Sequence, residues 1–253
     1  GDSGNARPAP AVRVLAAEAV AKTMPVRLRA IGHVEPIQTV AVRPRVGGDL
    51  TKVWFQEGQS VAAGETLFTI DPRPYDAALK QAEAELAKDQ ALLRKAEADV
   101  ARYAELVKKD FVTKEQYDLF VANAESLKAG VAADEANIER ARLDREFCTI
   151  TAPISGRTGD LIVKAGNLVK ASDDRALVVV NQMRPIYVVF TATAEFLPEF
   201  VNRPAGSVKV IARPPADGAE PHEGVLTFMD NVIDRGSSTV MLKATFPNER
   251  EAL

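Results

Sequence analysis

The sequence predicts an elongated, multidomain α+β protein: a β domain split by an inserted antiparallel α-helical coiled-coil hairpin, followed by a small β-barrel. Three observations carry that prediction. Residues 75–108 hold no glycine and no proline and consist mostly of Ala, Leu, Glu, Lys and Gln, the strong helix formers. Apolar residues recur through this stretch every seven positions, and a second stretch repeats the design after a short break. Short β-rich runs punctuated by glycine flank the helical pair on both sides and resemble each other.

Composition sets the outer limits. The 253 residues are 46% hydrophobic and 26% charged, as in ordinary folded proteins. The net charge of −3 gives no electrostatic footprint for a nucleic-acid partner. No apolar run reaches membrane-spanning length; the longest are "ALVVV" (176–180) and "IYVVF" (186–190). A single cysteine, Cys148, excludes an intramolecular disulfide. The chain opens without a cleavable signal segment, and "GDSGNARPAPA" (1–11) reads as a disordered leader.

Taken in order, residues 12–36 carry two alternating runs, "VRVLAAEAV" and "MPVRLRAIGHV", with Val26, Leu28 and Ala30 on one face. They are assigned, together with residues 183–253, to the barrel. Residues 37–71 contain short β runs broken at Gly47-Gly48, Gly58 and Gly64. The hairpin occupies 72–148, with helices over about 75–108 and 114–146 and a tip at 109–113. In the first helix Leu79, Leu86, Leu93, Val100 and Val107 form one row, and Tyr75, Ala82, Asp89, Ala96 and Tyr103 form the other. In the second, Tyr117, Ala124, Val131 and Ile138 face Phe120, Leu127, Asp134 and Ala141. Arms of this length, joined by about five residues, fold back on each other and span about 50 Å each.

The break is specified locally. Thr113-Lys114-Glu115-Gln116 fits a capping box, with Val112 and Tyr117 placed for a hydrophobic staple. Asp89 and Asp134 fall in the seam, about opposite each other. They either splay to water or pair with a neighbouring Lys or Arg, or they make a deliberately weak layer that lets the arms flex. Cys148 lies near the hairpin base as a small buried apolar residue. Residues 149–182 then repeat the earlier β stretch. Gly58-Gln-Ser-Val61-Ala-Ala63-Gly64 aligns with Gly166-Asn-Leu-Val169-Lys-Ala171-Ser172, each about 14 residues after a proline, Pro44 or Pro153. Beyond 183, strands are expected at "PIYVVFTAT", "SVKVIARP", "EGVLTFMDNVID" and "STVMLKATF", with a short helix near "AEFLPEF".

The two β half-motifs resemble the halves of a lipoyl/biotinyl carrier, or barrel-sandwich hybrid, domain. Carriers place a modified lysine on the turn between the halves. Here "DPRPYDAALKQAEAE" stands there instead, so no attached cofactor is expected. A split lipoyl-like domain with a hairpin insertion and a following barrel resembles the periplasmic adaptors, or membrane fusion proteins, of tripartite efflux systems. The stretches that carry this are "VRPRVGGDLTKVWFQEGQSVAAGETLFTIDPRPY", "ITAPISGRTGDLIVKAGNLV" and "GVLTFMDNVIDRGSSTVMLKATFPNEREAL". The last is most similar to adaptors of resistance-nodulation-division (RND) pumps of the multidrug branch.

The resemblance implies a function and a site. Such adaptors join an inner-membrane RND transporter to a TolC-like outer-membrane channel across the periplasm, to export drugs and other small molecules. They assemble into a ring, by family analogy a hexamer. Their hairpin tip carries an Arg-x3-Leu-x6-Ser pattern that meets the channel. Arg102, Leu106 and Thr113 hold those positions, with Thr keeping the hydroxyl. On the residues alone, Arg102 and Leu106 also fit a solvated helix face, and capping alone explains Thr113. Adaptors of this kind usually carry an inner-membrane anchor and continue into a membrane-proximal β domain. This chain is therefore expected to be an anchor-free, C-terminally incomplete version of a protein anchored to the inner membrane.

Two other readings follow from the same resemblance: an adaptor of an ABC or type I secretion exporter, and a heavy-metal RND adaptor. His33, His222 and the four methionines are scattered, so no metal site is expected. Gly58, Gly64 and Gly166 read as turn positions of the lipoyl-like domain rather than a phosphate cradle. No catalytic residues are assigned, since no Ser/His/Asp or Cys/His group is arranged for nucleophilic chemistry.

Overall fold

Two halves of the chain, separated by two long helices of 35 and 33 residues, share the same pair of sheets. The computed structural model describes residues 17–21, 27–171, 173–201, 203–204, 206–215 and 220–253. The expected leader at 1–11, Val26 and Ser172 lie outside them. Before the helices come β1 (Gly32–Pro36), β2 (Thr39–Val42), β3 (Gly48–Val53), β4 (Ser60–Val61) and β5 (Thr66–Ile70). The helices are α1 (Arg73–Val107) and α2 (Lys114–Glu146). After them come β6 (Thr149–Thr151), β7 (Gly156–Thr158), β8 (Leu168–Val169) and β9 (Val178–Asn181). One four-stranded sheet has the order β2-β9-β7-β4 and the other β6-β5-β3-β8, so each draws strands from both sides of the insertion.

All pairings in these sheets are antiparallel, and Gly48↔Val169 and Val61↔Gly156 lock the two halves together. Alternation turns one set of side chains inward, except in β5, where the register shifts between Thr66 and Phe68 and both Leu67 and Phe68 are buried. Leu50, Leu67, Phe68, Ile70, Leu177, Val178 and Val180 are fully buried between the sheets, with Phe55 meeting Phe68 edge-to-face at 5.3 Å. Cys148 closes this core at the point where α2 returns, and burial pushes its thiol pKa up. Gly58, Gly64 and Gly166 have φ of 75°, 84° and 88°, in the region that side chains disfavour. Gly156 is small for a different reason: a Cβ there would run into the Asn181 carbonyl.

The helices run antiparallel. Asp76 meets Arg145 at 3.0 Å near the root, and the Tyr103 and Phe120 rings stack at 3.9 Å near the far end. Every residue of the two expected α1 rows, and of the α2 rows, is buried or half-buried. Beyond their roots the helices pack on each other, with Ala96 and Ile138 the buried residues of the seam. The root is tied to the body by Tyr75, whose hydroxyl donates to the Gly47 carbonyl at 2.6 Å, and by Phe147, beneath the Arg45 guanidinium. α1 starts at Arg73, two residues before the expected 75. Proline is tolerated in the first helical turn, and the Asp71 carboxylate accepts from the Arg73 amide and guanidinium.

The third unit is an antiparallel sheet of order β1-β10-β13-β12-β11, built from β10 (Ile186–Thr193), β11 (Lys209–Ala212), β12 (His222–Asp234) and β13 (Thr239–Phe246) besides β1. A 3-10 turn at Ala194–Phe196 and the short α3 (Leu197–Val201) follow β10. Ile186, Leu242, Ala244 and Phe246 are buried in this unit. Of the expected N-terminal contribution, Gly32–Pro36 joins this sheet, residues 27–31 form no strand and leave Leu28 and Ile31 exposed, and residues 12–16 and 22–26 lie outside the described residues. Alternation needs a partner and a core to act on, and β1 pairs with β10 only through Gly32↔Phe190 to Pro36↔Ile186. Glu251 spans the joint between the units, with ion pairs to Arg157 of β7 at 3.3 Å and to Arg184 at 3.4 Å.

Candidate functional site at the hairpin tip

The tip is a built turn. Val107 ends α1, and the Leu106 carbonyl accepts from the Lys109 and Phe111 amides, both at 3.1 Å. Asp110 takes a left-handed conformation, φ 57°, which Asp tolerates better than most side chains. The Thr113 hydroxyl then accepts from the Gln116 amide at 3.2 Å, while the Gln116 side chain accepts from the Thr113 amide at 3.2 Å. These two bonds satisfy two donors that the start of α2 would leave open. Val112 and Tyr117, at the staple positions, are both half-buried.

The three residues singled out from the sequence sit differently. Arg102 is two-thirds exposed and is held by Asp99, one turn earlier, at 3.2 Å. Leu106 lies one turn further along the same face but is half-buried, so its part is to shape the turn as much as to present a surface. Thr113 is exposed, and its hydroxyl is occupied by the cap. Lys108 is engaged by Glu105 at 2.6 Å, which raises the lysine's pKa.

Sequence reasoning missed Phe111. It is 73% exposed at the apex, beside Lys109 and Asp110. A signal was present: Phe111 falls outside both heptad rows, and Val112 already takes the staple position, so nothing remained to bury it. Leu119, one residue off the seam, is 66% exposed a turn and a half beyond Thr113. The tip therefore offers an aromatic knob, a second apolar side chain and a guanidinium able to fork onto carbonyls or carboxylates. That combination suits contact with another protein, since an exposed aromatic ring gains most when a partner desolvates it. Among the described residues no cluster of His, Cys, Asp and Glu is arranged to hold a metal ion, and no helix is long and apolar enough to cross a membrane.

Comparison with known proteins places these units. Residues 38–181 match the family model described as the RND membrane fusion protein barrel-sandwich hybrid domain, and residues 185–253 match the one for the RND membrane fusion protein β-barrel domain. The multidrug resistance protein MdtA of Erwinia amylovora is 39% identical over 99% of this chain and 61% of its own length. The chain thus spans about three fifths of that curated relative. Among solved structures, a MacA–MexA chimera carrying the Pseudomonas aeruginosa MexA α-hairpin superposes with a TM-score of 0.62 at 24% identity, over 88% of this chain and 73% of that one. The membrane fusion protein Spr0693 of Streptococcus pneumoniae R6 gives 0.65 at 16% identity, over 89% and 96%. At those identities the two structures speak to the fold alone.

Proposed function

The chain belongs to the RND membrane fusion protein family, and from that premise we propose that it is a periplasmic adaptor joining an inner-membrane RND transporter to a TolC-like outer-membrane channel for the export of drugs and other small molecules. The observation that carries this reading is the pair of family matches covering both β units, with the helical insertion between the halves of the first. In this reading the hairpin stands out from the body as a rod and its tip meets the channel. The barrel side meets the transporter, the full-length protein is anchored to the inner membrane, and lipoyl-like domains of neighbouring copies pack into a closed ring, by family analogy a hexamer. The protein performs no catalysis of its own; its task is to hold two membrane partners in register.

Both matched models describe RND fusion proteins, which favours an RND transporter over an ABC-type or type I exporter as partner. The relatives are named for multidrug resistance, which does not favour the heavy-metal alternative. At the tip, Arg102, Leu106 and Thr113 take the roles the resemblance assigns, and Phe111 adds the apolar contact that half-buried Leu106 provides only in part.

Capture of a TolC-like channel by the purified protein, with Arg102→Asp and Phe111→Ser beside it, tests the reading. Wild type is expected to retain the channel. Each variant is expected to lose capture about tenfold or more, because hot-spot side chains typically cost over 1 kcal/mol when removed. Neither substitution touches the seam, so helical content should be unchanged. Capture by both variants equal to wild type would overturn the tip assignment. Failure of the wild type to hold any such channel, with drug susceptibility unaltered on deleting its gene, would overturn the adaptor reading.

A further inference from the structure

The seam between α1 and α2 is apolar or small except at one level. There Asp89 of α1 and Asp134 of α2, both half-buried, lie close enough for each carboxylate to feel the other's charge. The layers on either side are built from Leu86, Leu93, Val131 and Ile138, all buried or half-buried. Gly130 lies against Asp89, and a Cβ there would come within 3.9 Å of the Asp89 carboxylate.

The charges at this level do not balance. Lys88 stands 3.5 Å from the Asp89 carboxylate but is shared with Glu85, to which it also pairs. One exposed ammonium thus serves three carboxylates: Glu85, Asp89 and Asp134. Arg140 borders the same interhelical groove toward the root and makes no ion pair with them among the described residues. Asp134 Oδ2 is closed off from the surface, and no donor reaches it. Two ionised carboxylates in mutual reach repel, and a closed-off oxygen without a donor carries its full desolvation cost. A single proton relieves both, because one carboxyl then donates to the other.

We propose that Asp89 and Asp134 form a proton-operated catch midway along the hairpin: one shared proton draws the helices together at this level, and its loss lets them part there. The electrostatics agree with the geometry. Burial, then the charges of Asp89 and Glu85, push the Asp134 carboxyl above the usual carboxylate range, with Lys88 opposing. A carboxyl whose pKa is raised by folding makes the folded hairpin bind more protons than the unfolded chain. Stability of the layer therefore grows as pH falls from neutral through the raised value, and stops growing below the unfolded value of about 3.9. The catch works in the hairpin whatever its tip docks to. Its consequence is a rod that stiffens as its surroundings acidify.

Amide hydrogen exchange on the whole chain tests this, read as protection factors so that the intrinsic pH dependence of exchange cancels. Between about pH 7.5 and about pH 4, protection around Asp89 and Asp134 is expected to rise at least about threefold, while protection around Tyr103 and Phe120 stays level. Asp134→Asn keeps the shape and removes the charge. It should give the high protection at both pH values, and Asp89→Asn should do the same, so each variant checks the other. Protection that ignores pH in the wild type, or a pH response that survives in both variants, would overturn the catch.

Discussion

The body and the rod of this protein are held together by different means. In the split β domain the core side chains are shielded from water altogether: Leu50, Leu67, Phe68, Ile70, Val178 and Val180 expose nothing measurable. In the helical pair only Ala96 and Ile138 are buried, and the rest of the seam is half-buried. The body rests on the hydrophobic effect. The rod rests more on helix propensity, on caps and on a thin seam, which alone are marginal sources of stability. The lesson is a division of labour. Damage to the body should unfold the domain, whereas damage to the rod should loosen a lever and leave its platform standing.

The largest expected effect is therefore in the body. Phe68→Ala removes a fully buried ring at the centre of the sandwich and should cost about 3–5 kcal/mol. Trp54 is a natural reporter, because its indole donates to the Thr69 hydroxyl next to Phe68. Ile138→Ala, the equivalent truncation in the rod, should fall at the low end of the range for such changes, about 2 kcal/mol. Its cavity opens onto a seam that is already half-wet. It should appear in far-ultraviolet circular dichroism at a denaturant concentration where Trp54 fluorescence is still native. If Ile138→Ala moves both probes together and by as much as Phe68→Ala, body and rod form one cooperative unit and the distinction fails.

The two regions were also unequally legible. The rod could be read from local rules: seven-residue periodicity, no internal glycine or proline in the first arm, and a capping box at the start of the second. The expected 114–146 and the observed Lys114–Glu146 coincide for that reason. The glycine turns at Gly58, Gly64 and Gly166 were likewise readable, since each needs a φ that few side chains accept. What depended on neighbours in space was not. Two-residue strands such as β4 and β8 exist only because β7 and β3 lie beside them. That β1 pairs with β10 only from Gly32 to Pro36, and that residues 27–31 form no strand, has no mark in the alternation of the sequence. Glu251 gives no local sign that two arginines from different units converge on it. At the tip, Arg102, Leu106 and Thr113 came from resemblance, because heptad spacing assigns Leu106 to neither row. Phe111 could have been found as an aromatic residue with nowhere to be buried.

The smallest expected effect is at Thr113, where one hydroxyl serves both stability and the proposed contact. Thr113→Ala removes the cap and should cost about 1 kcal/mol, confined to helical signal and leaving Trp54 unchanged. Any loss of channel capture would then be ambiguous, since a frayed tip also presents Phe111 badly. Thr113→Asp resolves this. Asp caps as well as Thr, and its charge suits the positive end of α2, so helical stability should match or slightly exceed wild type. What Asp lacks is a neutral hydroxyl and its methyl group. If Thr113→Asp keeps full stability while channel capture stays low, the Thr113 side chain lies in the contact itself and the rod's end is shaped for a partner as well as for itself. If capture returns together with helicity, Thr113 acts only as a cap, and recognition passes to Arg102 and Phe111.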